Sequence, residues 1–108
     1  MAAIWRARDR GGREVELTEA RWAHIMEDHE SDMTGREADV WAAVGRPDRV
    51  SADANDPRRE CLYRYLGPGR LKLKVVVGCE PVPPSGAWAG TVITAYLTSR
   101  VPMSEVPL

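Results

Sequence analysis

Apolar residues recur along this chain in two rhythms, and the change from one to the other divides it. Trp22, Ile25, Met26 and His29 fall at i, i+3, i+4 and i+7, a single stripe on a helix. Thr18 suits the N-cap and Glu19 the first turn, where the helix dipole favours an acid. The spacing therefore predicts a first helix from about Glu19 to Asp28 or His29. His24 falls on its opposite, wet side with Arg21 and Asp28. A second helix is signalled by Thr34-Gly35-Arg36-Glu37, which has the form of a capping box. Val40, Trp41 and Val44 are its predicted buried stripe. Gly45 suits a left-handed C-cap, and Pro47 prevents continuation.

From Arg49 onward the rhythm has a period of two. Short strands are predicted over Arg49–Asp53, Glu60–Leu66, Arg70–Val77 and Trp88–Ser99. Residues 54–59 read as a turn. Gly67-Pro68-Gly69 is a tight turn, so the strands on either side of it form a hairpin. Residues 78–87, with three prolines and two glycines, read as a loop. Upstream, residues 9–13 are a turn and Val15-Glu16-Leu17 a short edge strand. On one strand Leu71, Leu73, Val75 and Val77 share a face and Arg70, Lys72 and Lys74 the other. On the last, Ile93, Ala95 and Leu97 face one way, and Val92, Thr94, Tyr96 and Thr98 the other. Helices followed by strands give an α+β class: two N-terminal helices packed on one face of an antiparallel sheet of about four strands. The tail after Arg100, with two prolines in its last seven residues, is expected to be loosely held.

Composition narrows this. A chain of 108 residues fits one domain, 1–108, with an ordered core over about 14–100. It has no phenylalanine but four tryptophans and three tyrosines, so its large rings all carry a polar handle. The formal net charge of -1 lacks the positive surplus typical of nucleic-acid binders. Nucleic-acid binding must therefore come from local clustering of Arg and Lys. Cys61 and Cys79 are out of register in the predicted hairpin and fit reduced thiols of a cytoplasmic protein. The first ten residues carry charges where a secretory signal has its apolar core, and no run spans a membrane.

Chemistry can be placed on three features. The polar sheet face with Lys72, Lys74, Thr94, Tyr96 and Thr98 suits phosphate, by charge and by hydroxyl hydrogen bonds; it also suits a plain solvated face. Arg58, Arg59, Arg64 and Arg70 surround the hairpin, and basic residues among tyrosines can hold RNA; they also suit surface ion pairs. His24 and Asp28 are an i, i+4 pair fit for general acid–base work, or for a modest surface ion pair. His29 continues the buried stripe. No CxxC, HExxH, GxGxxG or P-loop spacing occurs, so no metal or cofactor is expected.

Trp22-Ala23-His24-Ile25 followed by His29-Glu30 resembles the "W-x-H-I … H-P-E" helix of small bacterial and phage-associated members of the barnase–EndoU–colicin–RelE-like nuclease superfamily. Arg46-Pro47-Asp48-Arg49-Val50 is similar to their lead into the sheet. Tyr63-Arg64 and residues 73–77 resemble their central hairpin, and Thr94-Ala95-Tyr96 their last strand. Glu30 stands where that pattern has proline. The resemblance implies a metal-independent ribonuclease of the toxin type, in which the ribose 2′-hydroxyl attacks the adjacent phosphate. It implies His24 as acid or base, Lys74 and Arg64 on the phosphate, and Thr94 and Tyr96 positioning it. Lys72, Arg58, Arg59 and Thr98 would bind substrate. RNA and a neutralising antitoxin-type protein are the implied partners. The alternative is a non-enzymatic binding module on the same scaffold, a phage accessory or immunity-type protein.

Overall fold

The computed structural model of the chain describes residues 3–108; Met1 and Ala2, which open the N-terminal stretch read above for a signal segment, lie outside them. The order is β1 (Ala3–Arg8), β2 (Glu14–Thr18), α1 (Glu19–Met33), α2 (Glu37–Gly45), β3 (Arg49–Ala52), β4 (Arg59–Tyr65), β5 (Lys72–Val82), β6 (Ala87–Thr98) and β7 (Val106–Pro107). All seven strands join one sheet in the order β1-β2-β6-β5-β4-β3-β7. Neighbours are antiparallel except β2 and β6, which are parallel. The antiparallel sheet of about four strands is thus corrected to a mixed sheet of seven, α+β only in the broad sense. A parallel pair needs a long connection, and both helices lie within the one that separates β2 from β6.

The extra strands have local reasons. In β1, Ala3, Trp5 and Ala7 are half-buried and Ile4, Arg6 and Arg8 exposed, an alternation that small alanines make faint. The Trp5 indole donates to the Glu37 carbonyl at 3.2 Å, docking β1 against the start of α2. The 9–13 turn closes a β1–β2 hairpin with Gly12 at φ 83°. Val15 to Leu17 is therefore an interior strand, between β1 and β6, and not an edge. Residues 78–87 are not a loop: β5 runs on to Val82 and β6 starts at Ala87. Beyond Gly78, β5 has no β4 neighbour, so Pro81 breaks no ladder on that side. The β4–β5 hairpin forms, but its loop runs over 66–71 and not only 67–69. Tyr65 lies opposite Lys72, and the Leu66 amide bonds to the Leu71 carbonyl at 3.1 Å. The pairing is one residue off that of a three-residue turn, so Arg70 and Leu71 leave the strand.

Both helices contribute to a core on one sheet face. Ile25 and Met33 of α1 and Val40, Ala43 and Val44 of α2 meet Val15, Leu17, Leu73, Val75, Val77, Val92 and Ala95. A β-bulge between Val76 and Val77 places Val92, not Ile93, on this face, and sends Ile93 to the other. Gly90 permits the close approach of β2, β6 and β5: a Cβ there would lie 2.8 Å from Val77 and 3.2 Å from Val15.

The helix ends differ from expectation. Thr18 caps α1, accepting from the Arg21 amide at 3.1 Å. The helix passes its expected end and closes at Thr34, whose hydroxyl donates to the Glu30 carbonyl at 2.7 Å. Thr34 is thereby used as a C-cap, and α2 begins after Arg36 with no side-chain cap. Gly45 stays inside α2, and Arg46 is its C-cap. Trp41 is 51% exposed, because Val40, Ala43 and Val44 centre the buried stripe and Trp41 lies to its side.

The tail is held, not loose. β7 pairs with β3 through Ser51 opposite Pro107 and Ala52 opposite Val106. The Leu108 amide donates to the Val50 carbonyl at 2.9 Å, and Glu105 is buried. The tail covers part of the sheet face opposite the helices, where Val101 packs on Cys61, Tyr63 and Val76. Cys61 and Cys79 lie on opposite faces, both free and buried. Among the described residues no helix is long and apolar enough to cross a membrane.

Candidate functional site

Strand register assembles a row of side chains on the tail-covered face. Arg49, Tyr63, Lys74 and Tyr96 are successive cross-strand partners on β3, β4, β5 and β6. Cross-strand partners share a face, so two cations and two phenols alternate across the sheet. The next row is Tyr65, Lys72 and Thr98, and the row on the other side is Ser51, Cys61, Val76 and Thr94. The Lys74 Nζ lies 5.5 Å from the Tyr63 ring centroid and 5.8 Å from that of Tyr96. Lys72 stands 5.7 Å over Tyr65.

The helix side of this row is closed by a histidine. His29 departs from helical geometry inside α1, at φ −135° and ψ 29°. Its ring stacks on Tyr96 with centroids 5.2 Å apart and planes at 27°. His29, Tyr96 and Lys74 thus form one half-buried corner.

Glu105 reaches the same row from the tail. Lys74 Nζ donates to its Oε2 at 2.7 Å. The Tyr63 hydroxyl sits 2.7 and 2.8 Å from the two carboxylate oxygens, its single proton shared between them. Lys74 is 7% exposed and Tyr63 fully buried. Desolvation pulls the Lys74 pKa down, but hydrogen bonds to Glu105 and Tyr63 outweigh it, and the ammonium is held well above its usual range. Burial, then the bond to Glu105, raises the Tyr63 phenol well above its usual value. Burial pushes the neighbouring Cys61 thiol up to about 11.

The sequence-derived candidates separate into groups. Lys74, Tyr96 and Thr94 share the face, with Lys72 and Thr98 one row on. Lys72 Nζ donates to the Arg70 carbonyl at 2.8 Å. Arg64 does not join them: it pairs with Leu73 on the helix side of the sheet and donates to the Arg46 carbonyl at 2.8 Å. His24 is exposed, and its near carboxylate is Glu27 at 3.9 Å rather than Asp28. Arg59 lies further along the tail-covered face by the alternation of β4, and Arg58 just precedes that strand; both line a cavity of about 610 Å³ and both approach Asp56. That cavity carries four carboxylates (Glu14, Glu16, Asp56, Glu80) against three guanidiniums (Arg21, Arg58, Arg59), a balance that disfavours a polyanion.

Arg49, Tyr63, His29 and Glu105 were not among the sequence candidates. Tyr63 and Arg49 were hidden by a one-residue shift in register, since a turn of three residues at 67–69 would pair Tyr63 with Leu73 and not with Lys74. His29 carried a weak signal, a polar ring ending an apolar stripe. Glu105 carried none, because no periodicity precedes it. Among the described residues no three His, Cys, Asp or Glu side chains gather as a metal would need. Compared with protein-family models, curated proteins and solved structures, the chain matches none of them significantly, so the chemistry of this corner is read from its own geometry.

Proposed function

We propose that this chain is a metal-independent endoribonuclease of the bacterial-toxin type, acting where His29, Tyr96 and Lys74 meet. The observation that carries the reading is the His29 ring stacked on Tyr96 with the Lys74 ammonium beside the same phenol. It supplies a base, an acid and a charge within one corner, and it replaces His24 and Arg64 of the expected set. The neutral imidazole of His29 takes the proton of the ribose 2′-hydroxyl as that oxygen bonds to phosphorus. The bond from phosphorus to the 5′-oxygen breaks, and the Tyr96 hydroxyl gives that oxygen its proton. Lys74 stabilises the charge that builds on the phosphoryl oxygens. A proton then returns from imidazolium to phenolate through solvent. Tyr65, 49% exposed beside Lys72, offers a stacking surface for an adjoining base. Two free thiols accord with a reducing, cytoplasmic setting, and a toxin of this kind takes a neutralising protein partner.

One observation favours the binding-module reading: Glu105 already neutralises Lys74. A mixed RNA substrate separates the two. The enzyme cleaves it in EDTA and leaves 2′,3′-cyclic phosphate and 5′-hydroxyl ends. His29→Ala lowers the rate by about 10²–10⁴-fold, while His24→Ala leaves it unchanged. The reverse pattern for the two histidines would remove the corner from the chemistry. Loss of cleavage in EDTA with recovery in magnesium would replace the mechanism.

A further inference from the structure

We propose that the Glu105 carboxylate fills a latent anion site, and that the 99–108 segment is a strap whose displacement admits a phosphate diester in its place. Glu105 presents two oxygens to a buried ammonium and a buried phenol, at 2.7–2.8 Å. Two non-bridging oxygens of a phosphate present the same pattern of acceptors. The donors are built in and do not depend on the strap: Lys74 and Tyr63 stand on interior strands, locked by register.

The charge around the site has the sign this needs. Without Glu105, the rows carry Arg49, Lys72 and Lys74 and no acidic residue. The positive cluster missing from the overall charge of -1 is therefore present locally, covered by Glu105, with Asp48 at the Tyr65 amide and Asp53 near Cys61 on its margin.

Apart from that carboxylate the strap is held at its two ends, by Ser99, Arg100 and Val101 at one and by β7 at the other. Its pairing is the two-residue β7, with one further backbone bond from Leu108. Met103 is fully exposed, Val106 is 61% and Leu108 60% exposed, and Val101 alone of its apolar residues packs on the sheet. Lifting it opens Lys74 to water, so the ammonium is not left buried and unpaired. The tether keeps the carboxylate at a high effective concentration, which makes it a competitor of external anions.

The diester identity rests on the ribonuclease reading, whereas the anion site does not, and the test keeps the two apart. Three variants are compared with the intact chain: one with Val106, Pro107 and Leu108 all replaced by glycine, Glu105→Gln, and Glu105→Gln combined with Lys74→Met. The first loosens the strap and leaves Glu105 in place, so it tests the strap even if Glu105→Gln folds poorly. Circular dichroism checks each fold. The probes are inorganic phosphate, by thermal shift, and a labelled single-stranded RNA, by anisotropy at low salt. The glycine-tailed chain and Glu105→Gln should bind both probes about 10–100-fold more tightly, as the site's open fraction rises. The double variant should lose the gain. A gain for phosphate without one for RNA supports the anion site and overturns the diester as its ligand. No gain with either probe in folded variants overturns the site and leaves Glu105 a structural ion. A gain that survives Lys74→Met also overturns it. If both probes bind more tightly and no variant cleaves RNA, the strap stands and the ribonuclease reading falls.

Discussion

Lys74→Met tests how the buried triad of Lys74, Glu105 and Tyr63 is balanced. At 2.7 Å the ion pair has an attraction of about 6 kcal/mol for an effective dielectric of ~20. Desolvation of two charges, several kcal/mol each on the order-of-magnitude scale, offsets most of that. The pair as a whole is then close to neutral, but either half alone is not. Lys74→Met leaves a carboxylate in a site that is 8% exposed and should destabilise the fold by roughly 3–5 kcal/mol. Glu105→Gln should cost a similar amount by leaving the ammonium unpaired. The double variant should return to within about 1 kcal/mol of the parent, so that the two single effects fail to add by about 5 kcal/mol or more. Urea unfolding followed by tryptophan fluorescence, with four indoles as reporters, measures all four proteins. Additive single effects, with coupling below about 0.5 kcal/mol, would refute the triad as an interacting unit.

The same face predicts alkaline sensitivity. Cys61, Tyr63 and Lys74 all have folded pKa values above their ordinary ones, so the folded state holds these protons more tightly than the unfolded chain. Their contribution is complete below about pH 9 and is lost as pH rises; for Cys61 the window runs from 9.0 to about 11, worth about 3 kcal/mol at ~1.4 kcal/mol per unit. Chemical denaturation between pH 8 and 11 should show this loss, and Cys61→Ala should remove its first part; a flat profile would contradict the burial of these groups. Ile25→Ala, at a fully buried position, should cost about 2–5 kcal/mol, whereas Trp41→Ala should cost about 1 kcal/mol; equal losses would show that Trp41 is core after all.

What could be read from the sequence was local. Thr18 at the head of an apolar stripe specified the start of α1, because a cap and a 3.6-residue period act within one turn or two. Gly67-Pro68-Gly69 between alternating strands specified that β4 and β5 form a hairpin, but a turn of those three residues would set Tyr63 opposite Leu73 and Arg64 beside the lysines. The observed loop over 66–71 shifts the register by one, which brings Tyr63 to Lys74 and turns Arg64 away. The alternation of Lys72 and Lys74 against Leu73 and Val75 separated the two faces. Tertiary structure decided whatever depends on distant partners. Thr34 could cap either helix, and the competition was settled when α1 extended past His29. Trp41 could join the stripe or flank it, and contact of Ala43 with the sheet settled that. The parallel seam of β2 on β6 joins segments with no shared local signal, and it makes the sheet mixed. Alternation assigned Lys74 to a polar face but was silent on what covers that face. Glu105, 31 residues away in a proline-broken tail, meets Lys74 only because β7 docks on β3. Periodicity reports which way a side chain points; what it meets there is set by chain closure, and that is why the histidine at the corner is His29 and not His24.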